Sequence, residues 1–293
     1  MTGHLIHIGL PKAGSTFLQG WFAAHPQIGY RPAGIAGCGN VFDLEGEALA
    51  SHRALRWRVT SNEGLSAPCA DRMDGDIRYG REGRSSIAKE QARVCRLLDD
   101  TFRGATVLVV TRGFRSVMLS AYSEYVRTGG SETWVEGLQP PHRDYPWQYD
   151  KLLGLYRKAF GADRVIVLPF ELLRDAPADF LGELERRLGL DAFPYSSPPA
   201  NVAASAAELI WYPRFTRIVQ RVAQPESRWD RLYRRLLYRG RLAPLAQLVQ
   251  KLRPHPLPTA EEIDEAFLAQ FRGSAELLRA EPLFRPYLAD YLL

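Results

Sequence analysis

Lysine is scarce in this chain of 293 residues. Only five of its 38 basic residues are lysines, and the other 33 are arginines. Cysteine and methionine are rare too, with three of each. Cys38, Cys69 and Cys95 are odd in number, widely spaced and free of any CxxC pattern, which disfavours both a disulfide framework and a zinc site. We therefore expect three reduced thiols.

Long apolar runs are missing as well. The longest run near the N-terminus covers residues 5–10, far short of the roughly 18 to 20 apolar residues of a membrane-spanning helix. It also lacks the basic flank of a secretory signal. We expect a cytoplasmic protein without an anchor. A dinucleotide-binding GxGxxG motif is absent, because Gly37 and Gly39 are followed by no third glycine and preceded by no predicted strand.

Charge is distributed unevenly. The net charge is +5 and the isoelectric point is near 9.1, which favours an anionic ligand or surface. Residues 228–253 hold eight Arg and Lys, interleaved with Trp, Leu and Tyr. This segment is either a helix whose arginines form the solvated face over a leucine stripe, or a docking surface for an anionic polymer or membrane.

Strand and helix patterns alternate along the first two thirds of the chain. Strands are predicted at 5–10, 55–60, 105–111 and 165–169, and helices at 15–24, 87–102, 116–126, 148–160 and 178–188. Alternation of this kind predicts an α/β fold: a three-layer, P-loop-type domain with a central, mostly parallel sheet and helices on both faces. We expect one domain over residues 1–293, with a core at 1–195 and a helical extension at 196–293.

The stretch "HIGLPKAGSTF" leads from the first strand into the first helix. A helix N-terminus after a strand presents unpaired N–H groups to an anion, and glycines let the backbone come close. Gly9 and Gly14 have the spacing of the Walker loop, but Lys12 stands two residues before Gly14 instead of directly after it. The strand at 105–111 is followed by Arg112, where a nucleotide triphosphatase would need a magnesium-binding aspartate. A P-loop kinase with a degenerate loop is therefore a weaker alternative.

The pattern Pro-Lys-x-Gly-Ser-Thr closely resembles the 5′-phosphosulfate-binding loop of sulfotransferases that use 3′-phosphoadenosine 5′-phosphosulfate (PAPS). A second element strengthens the resemblance, since that family has an arginine at the end of a later strand and a serine eight positions on, which bind the 3′-phosphate. Arg112 and Ser120 have this spacing. The resemblance implies that the donor-binding residues are Pro11, Lys12, Ala13, Gly14, Ser15, Thr16, Arg112 and Ser120.

The resemblance implies transfer of a sulfuryl group from PAPS to a hydroxyl or amine, with release of adenosine 3′,5′-bisphosphate and no need for a metal. Lys12 would stabilise the leaving phosphate. Glu63, just beyond the strand at 55–60, is our choice of general base, with His52 and His142 as alternatives. The acceptor would be a small molecule, a glycan or a lipid, and no nucleic acid is expected.

The resemblance also bears on residues outside these two motifs. Glu171 is expected to be structural, in an internal ion pair or at a helix start, whereas Asn201 or the Arg-Gly-Arg segment at 239–241 could complete the 3′-phosphate site. An inactive member that only binds a nucleotide or an anionic glycan is the remaining alternative.

Overall fold

The fold is built on a five-stranded sheet in which every strand pair is parallel. The computed structural model describes residues 2–10, 12–30, 55–66, 87–133, 145–197, 204–225, 227–256, 263 and 265–291. Within these residues the strand order is β2-β3-β1-β4-β5. The strands are β1 (Gly3–His7), β2 (Ile28–Gly29), β3 (Trp57–Ser61), β4 (Thr106–Thr111) and β5 (Val165–Pro169). The predicted α/β class with a parallel sheet is confirmed.

Twelve α-helices accompany this sheet in the described residues. Those up to residue 188 are α1 (Ser15–Ala24), α2 (Ile87–Thr101), α3 (Phe114–Arg127), α4 (Tyr149–Phe160), α5 (Phe170–Asp175) and α6 (Pro177–Leu188). The later ones are α7 (Ala206–Val222), α8 (Arg228–Tyr238), α9 (Ala243–Leu252), α10 (Glu265–Leu268), α11 (Arg272–Arg279) and α12 (Leu288–Tyr291). Short 3₁₀ turns lie at Glu63–Leu65, Ala162–Arg164, Ala269–Phe271 and Pro282–Tyr287.

Helices cover both faces of the sheet, as two histidines of β1 show. Residues three apart on a strand point to opposite faces. His4 stacks on Phe102 at the end of α2, with 4.2 Å between ring centroids, whereas His7 contacts Phe22 of α1 at 5.9 Å. The β1 histidines therefore face different layers, which rules out a shared metal ion between them. Burial lowers the pKa of His7 to about 4, so its imidazole is neutral inside the core.

Boundaries differ from the sequence-based ones mainly at strand ends. β1 begins at Gly3 and ends at His7, because the chain leaves the sheet to form the loop before α1. α3 begins two residues earlier than predicted, at Phe114, whose ring is buried. The two-residue strand β2 and the short helix α5 were not predicted. Cys95 is buried and free, and Cys38 and Cys69 lie outside the described residues.

In the described residues after 204, all regular secondary structure is helical, as predicted. The last helix returns to the sheet, where the Tyr291 hydroxyl lies 3.0 Å from Thr111 Oγ1 at the end of β4. In the described part of the chain, no helix is both long and apolar enough to cross a membrane. The division into a core at 1–195 and an extension at 196–293 stays a prediction.

Candidate functional site

The candidate site lies at the carboxyl edge of the sheet. β1 is the central strand, with β3 on one side and β4 on the other, so the segments that leave these three strands diverge above it. In open α/β sheets this is the crevice where ligands bind. The β1–α1 loop (residues 8–14), Glu63 and Arg112 all follow carboxyl ends of these strands. The parallel register therefore brings together three segments that are far apart in the sequence.

Gly9 is the point at which the β1–α1 loop meets α1 and the segment after β3. A methyl group placed on Gly9 would lie 2.7 Å from Ser15 Oγ, 3.2 Å from His7 Cε1 and 3.5 Å from Glu63 Cγ. Ser66 Oγ donates a 2.7 Å hydrogen bond to the Gly9 carbonyl oxygen, which fixes the loop to the turn that begins at Glu63. Only glycine fits this approach, and it places Glu63 beside the loop.

Ser15 is the first residue of α1, and it carries a polar atom without a protein partner. The side chain is 3% exposed, and its Oγ has no hydrogen-bond partner among the described residues. Gly14 is the N-cap of α1 and supplies no side-chain cap, and the first turn holds no acidic residue. The N-terminus of α1 thus combines N–H groups that have no side-chain cap with a buried hydroxyl, a combination that suits an anion.

Lys12 has a left-handed backbone, with φ of 69°. This conformation is uncommon outside glycine and costs on the order of 1 to 2 kcal/mol. It turns the Lys12 carbonyl oxygen toward Arg112, which donates a 2.7 Å hydrogen bond to it from Nη1. The ammonium group forms an ion pair with the carboxylate of Glu124 on α3. The carbonyl oxygen of Lys12 therefore binds a cation and its ammonium group binds an anion, and both partners belong to the segment after β4.

Arg112 is the most constrained cation of the site. Its Nε donates to Ser116 Oγ at 3.0 Å, and its guanidinium lies over the Phe170 ring with 4.5 Å to the centroid. With the bond to Lys12 counted, two of its five N–H groups donate to residues that the structure describes, which leaves three for a ligand. Burial lowers the pKa of Arg112 from its usual value, and the group remains a cation at neutral pH.

One face of α3 connects Arg112 with Lys12. Ser116, Ser120 and Glu124 are four residues apart, so they follow one another along the same side of the helix. Ser116 binds Arg112 and Glu124 binds Lys12, so Ser120 stands between the two cations. Its side chain is half-buried. The predicted pair Arg112 and Ser120 is thus on the surface that faces the β1–α1 loop.

A buried network holds the start of α3 in place. Glu171 accepts hydrogen bonds from the Gly113 amide at 2.9 Å and from the Tyr291 hydroxyl at 2.7 Å. Burial raises the pKa of Glu171, and these two bonds oppose the shift. Of the two structural roles expected for Glu171, the helix start is correct, since it lies in the first turn of α5. Its partners are an amide and a phenol, where an ion pair was the other expectation.

The remaining predicted residues divide into placed and undescribed ones. Ala13 is buried and Thr16 is exposed on the first turn of α1. Pro11, His52, His142 and Asn201 lie outside the described residues, whereas residues 239–241 follow α8. Sequence reasoning missed Ser116 and Glu124, although their four-residue spacing with Arg112 and Ser120 was visible in the sequence.

Comparisons with known proteins found similarity of fold. No family model matches this chain, and no curated protein sequence does. The crystal structure of a sulfotransferase from Alicyclobacillus acidocaldarius is similar in fold over 85% of this chain and 96% of that one, with 16% sequence identity and a TM-score of 0.45. A similarity of this degree carries no argument about activity.

The loop geometry predicts that Gly14→Ala destabilises the protein. Gly14 has φ of 81°, and an added methyl group would lie 2.6 Å from Leu173 Cδ2. We expect a loss of about 2 to 3 kcal/mol in the free energy of unfolding. Gly182→Ala is the matched control, because nothing lies within 4 Å of an added methyl group in the middle of α6. That variant should gain about 0.5 to 1 kcal/mol. Urea unfolding of both variants measures the difference, and equal effects would contradict the strained-turn interpretation.

Proposed function

We propose that the protein is a sulfotransferase that takes the sulfuryl group from PAPS. One observation carries the proposal. Lys12 and the N-terminus of α1, which has no side-chain cap, lie on one side of the crevice. Arg112, which donates two of its five N–H groups to described residues, lies on the other side with Ser120 of α3. Two anion sites in one crevice match this donor, because it carries a phosphate at the 3′ position and a phosphosulfate at the 5′ position of its ribose. The family resemblance of Pro11–Thr16 and of the pair Arg112 and Ser120 is independent support from the sequence.

The residues present fit such a donor. Ser15 Oγ has no hydrogen-bond partner among the described residues, and an oxygen of the 5′-phosphate would be one. The first N–H groups of α1 would bind the same phosphate. Thr16 and Lys12 would complete that site. Arg112 has three N–H groups left for the 3′-phosphate, and a guanidinium binds a phosphate in a bidentate manner. Ser120 would donate to the same group from its place between Ser116 and Glu124.

The donor supplies an activated sulfuryl group, so the protein needs to provide position and charge and no covalent nucleophile. Lys12 would balance the negative charge that grows on the phosphate oxygen as its bond to sulfur breaks. Glu63 would accept the proton of the acceptor hydroxyl as the new oxygen–sulfur bond forms. Glu63 is half-buried and adjacent to Gly9, which puts a carboxylate on the β3 side of the loop, opposite Arg112 on the β4 side.

Calorimetric titration with adenosine 3′,5′-bisphosphate tests the proposed donor site. We expect micromolar or tighter binding by the wild type, and weaker binding of 5′-AMP because it lacks the phosphate for Arg112. Arg112→Ala should weaken binding of the bisphosphate about 100-fold, since charge-assisted hydrogen bonds contribute roughly 1.5 to 3 kcal/mol. Because Arg112 also donates to the Lys12 carbonyl oxygen in the loop, Arg112→Ala should weaken 5′-AMP binding too, but by less than it weakens binding of the bisphosphate.

Arg96→Ala is the matched control for this titration, because Arg96 is exposed on α2, away from the crevice. Its affinity should equal that of the wild type. If the wild type does not bind the bisphosphate and binds ATP with magnesium, the proposal is overturned in favour of a P-loop kinase. If Arg112→Ala binds the bisphosphate as tightly as the wild type, Arg112 does not bind the 3′-phosphate. The β1–α1 loop would then be a general anion site.

Glu63→Gln tests the general base. The variant keeps the shape of the side chain and loses its ability to take a proton, so we expect turnover to fall on the order of 10²- to 10⁴-fold. Its affinity for the bisphosphate should stay unchanged. Transfer of radioactive sulfate from labelled PAPS to a panel of glycans, lipids and small alcohols measures turnover. If Glu63→Gln transfers at the wild-type rate, the base is another residue.

Glu124→Gln tests the ion pair with Lys12. Both side chains are about one-third exposed, so the pair contributes modestly to stability. The Glu124 carboxylate competes with the donor for Lys12 and repels its phosphates. We therefore expect Glu124→Gln to bind the bisphosphate roughly three- to tenfold more tightly. Asp163→Asn, at an exposed site before β5, is the control for the lost charge. Equal or weaker binding by Glu124→Gln would show that the pair does not compete.

A further inference from the structure

In the described part of the chain, the exposed large apolar side chains are concentrated in one segment. Among the residues that the structure describes, all eight such side chains lie between positions 218 and 252. Two of them are aromatic, and Trp229 is 61% exposed. On α9, three leucines at i, i+3 and i+7 form a stripe that points to solvent. The full set is Ile218, Val222, Trp229, Leu232, Tyr238, Leu245, Leu248 and Leu252.

The same region carries the net positive charge of the chain. Residues 214–256 contain 11 Arg and Lys and two Asp and Glu, a net charge of +9. The rest of the chain has 27 basic and 31 acidic residues, a net charge of −4, which together give the +5 of the whole. The exposed cations here are Arg221, Arg228, Arg231, Arg235, Arg239, Arg241, Lys251 and Arg253. Asp230 is buried and paired with Arg234 at 3.0 Å, so it does not offset them at the surface.

These helices are fixed to the protein by their opposite faces. Leu237 of α8 and Ala246 of α9 are fully buried. Trp211 Nε1 of α7 donates a 2.8 Å hydrogen bond to Gln250 Oε1 of α9. Ile218 and Val222 lie on the last two turns of α7. Arg234 ties α8 to the end of α3 through a 3.1 Å bond to the Thr128 carbonyl oxygen.

We infer that the end of α7, with α8 and α9, docks the protein on a membrane that contains anionic phospholipid. Charge complementarity carries the choice of occupant. A second copy would bring a second net charge of +9 against the first, which opposes self-association. A nucleic acid or a polysaccharide would use the cations and leave the leucine stripe in water. An anionic lipid surface matches both, because headgroups bind arginine while Leu and Trp enter the interface.

Vesicle flotation tests this inference, which does not rest on the proposed activity. The probes are vesicles of phosphatidylcholine alone and with about 30% phosphatidylglycerol, at about 150 mM salt, where each cation near an anionic surface contributes roughly 1 kcal/mol. We expect the wild type to float with the anionic vesicles only. The variant R228Q/R231Q/R235Q should bind on the order of 100-fold more weakly, and L245S/L248S/L252S on the order of tenfold more weakly.

R96Q/R103Q/K158Q is the matched control, since it removes three exposed cations from α2, the turn after it and α4. It should float like the wild type, and circular dichroism checks the fold of all variants. A wild type that stays unbound overturns the inference. So does equal weakening by the control, which would mean that only the total charge matters. Binding that survives L245S/L248S/L252S unchanged, with equally tight binding of heparin, would identify a polyanion site. A dimer in sedimentation equilibrium that L245S/L248S/L252S dissolves would identify a second copy as the occupant.

Discussion

The Arg112 guanidinium donates a 2.7 Å hydrogen bond to the Lys12 carbonyl oxygen, and this bond joins the two halves of the crevice. Lys12 has a left-handed backbone, and in this conformation its carbonyl oxygen accepts the bond from Arg112. Ser116 and the ring of Phe170 contact the same guanidinium and hold it in position. The strain at Lys12 is thus balanced by a charge-assisted bond. The β1–α1 loop takes its shape from a residue 100 positions away.

Further support for Arg112 comes from the far end of the chain. Glu171 binds the Gly113 amide, and Tyr291 of α12 binds Glu171 and Thr111 in turn. Gly113 has no room for a side chain, since an added methyl group would lie 2.6 Å from the Asp290 carbonyl oxygen. The C-terminal helices therefore stabilise the start of α3 in addition to covering the sheet. Through α3 they are connected to both cations of the site, because Glu124 lies on the same helix.

Elements with a clear sequence pattern could be predicted, and very short elements could not. The bounds of α1 were predicted because Gly14 precedes it and His25-Pro26 follows it, and β5 was predicted because a β-branched run ends at Pro169. β2 has two residues, too few for any period to appear. α5 begins directly after Pro169, the last residue of β5, so no separate turn residue marks where this helix starts.

The candidate site divides in the same way. The loop motif and the spacing of Arg112 and Ser120 are local patterns, and parallel pairing brings them to one edge. The ion pair of Lys12 with Glu124 joins residues 112 positions apart, and one sequence holds no signal for such a partner. The network of Glu171 and Tyr291 spans 120 residues and uses a phenol, a group that sequence patterns do not mark as a partner. Helical spacing alone could have selected Ser116 and Glu124, once α3 was placed after Arg112.

The choice of lysine at position 12 follows from this geometry. Arginine is the ordinary cation of this protein, and at Arg112 its planar fork is held by fixed partners on two sides. Lys12 would have a different role in the proposed reaction. Its ammonium group would move from Glu124 to the phosphate oxygen that becomes negative as the bond to sulfur breaks. A compact ammonium on a flexible four-carbon stem can make that movement, whereas a guanidinium bound in two places would lose one bond to make another. In the proposed reaction, the two cations of the crevice would differ in type because Arg112 would position a phosphate throughout and Lys12 would follow the charge of a bond that breaks.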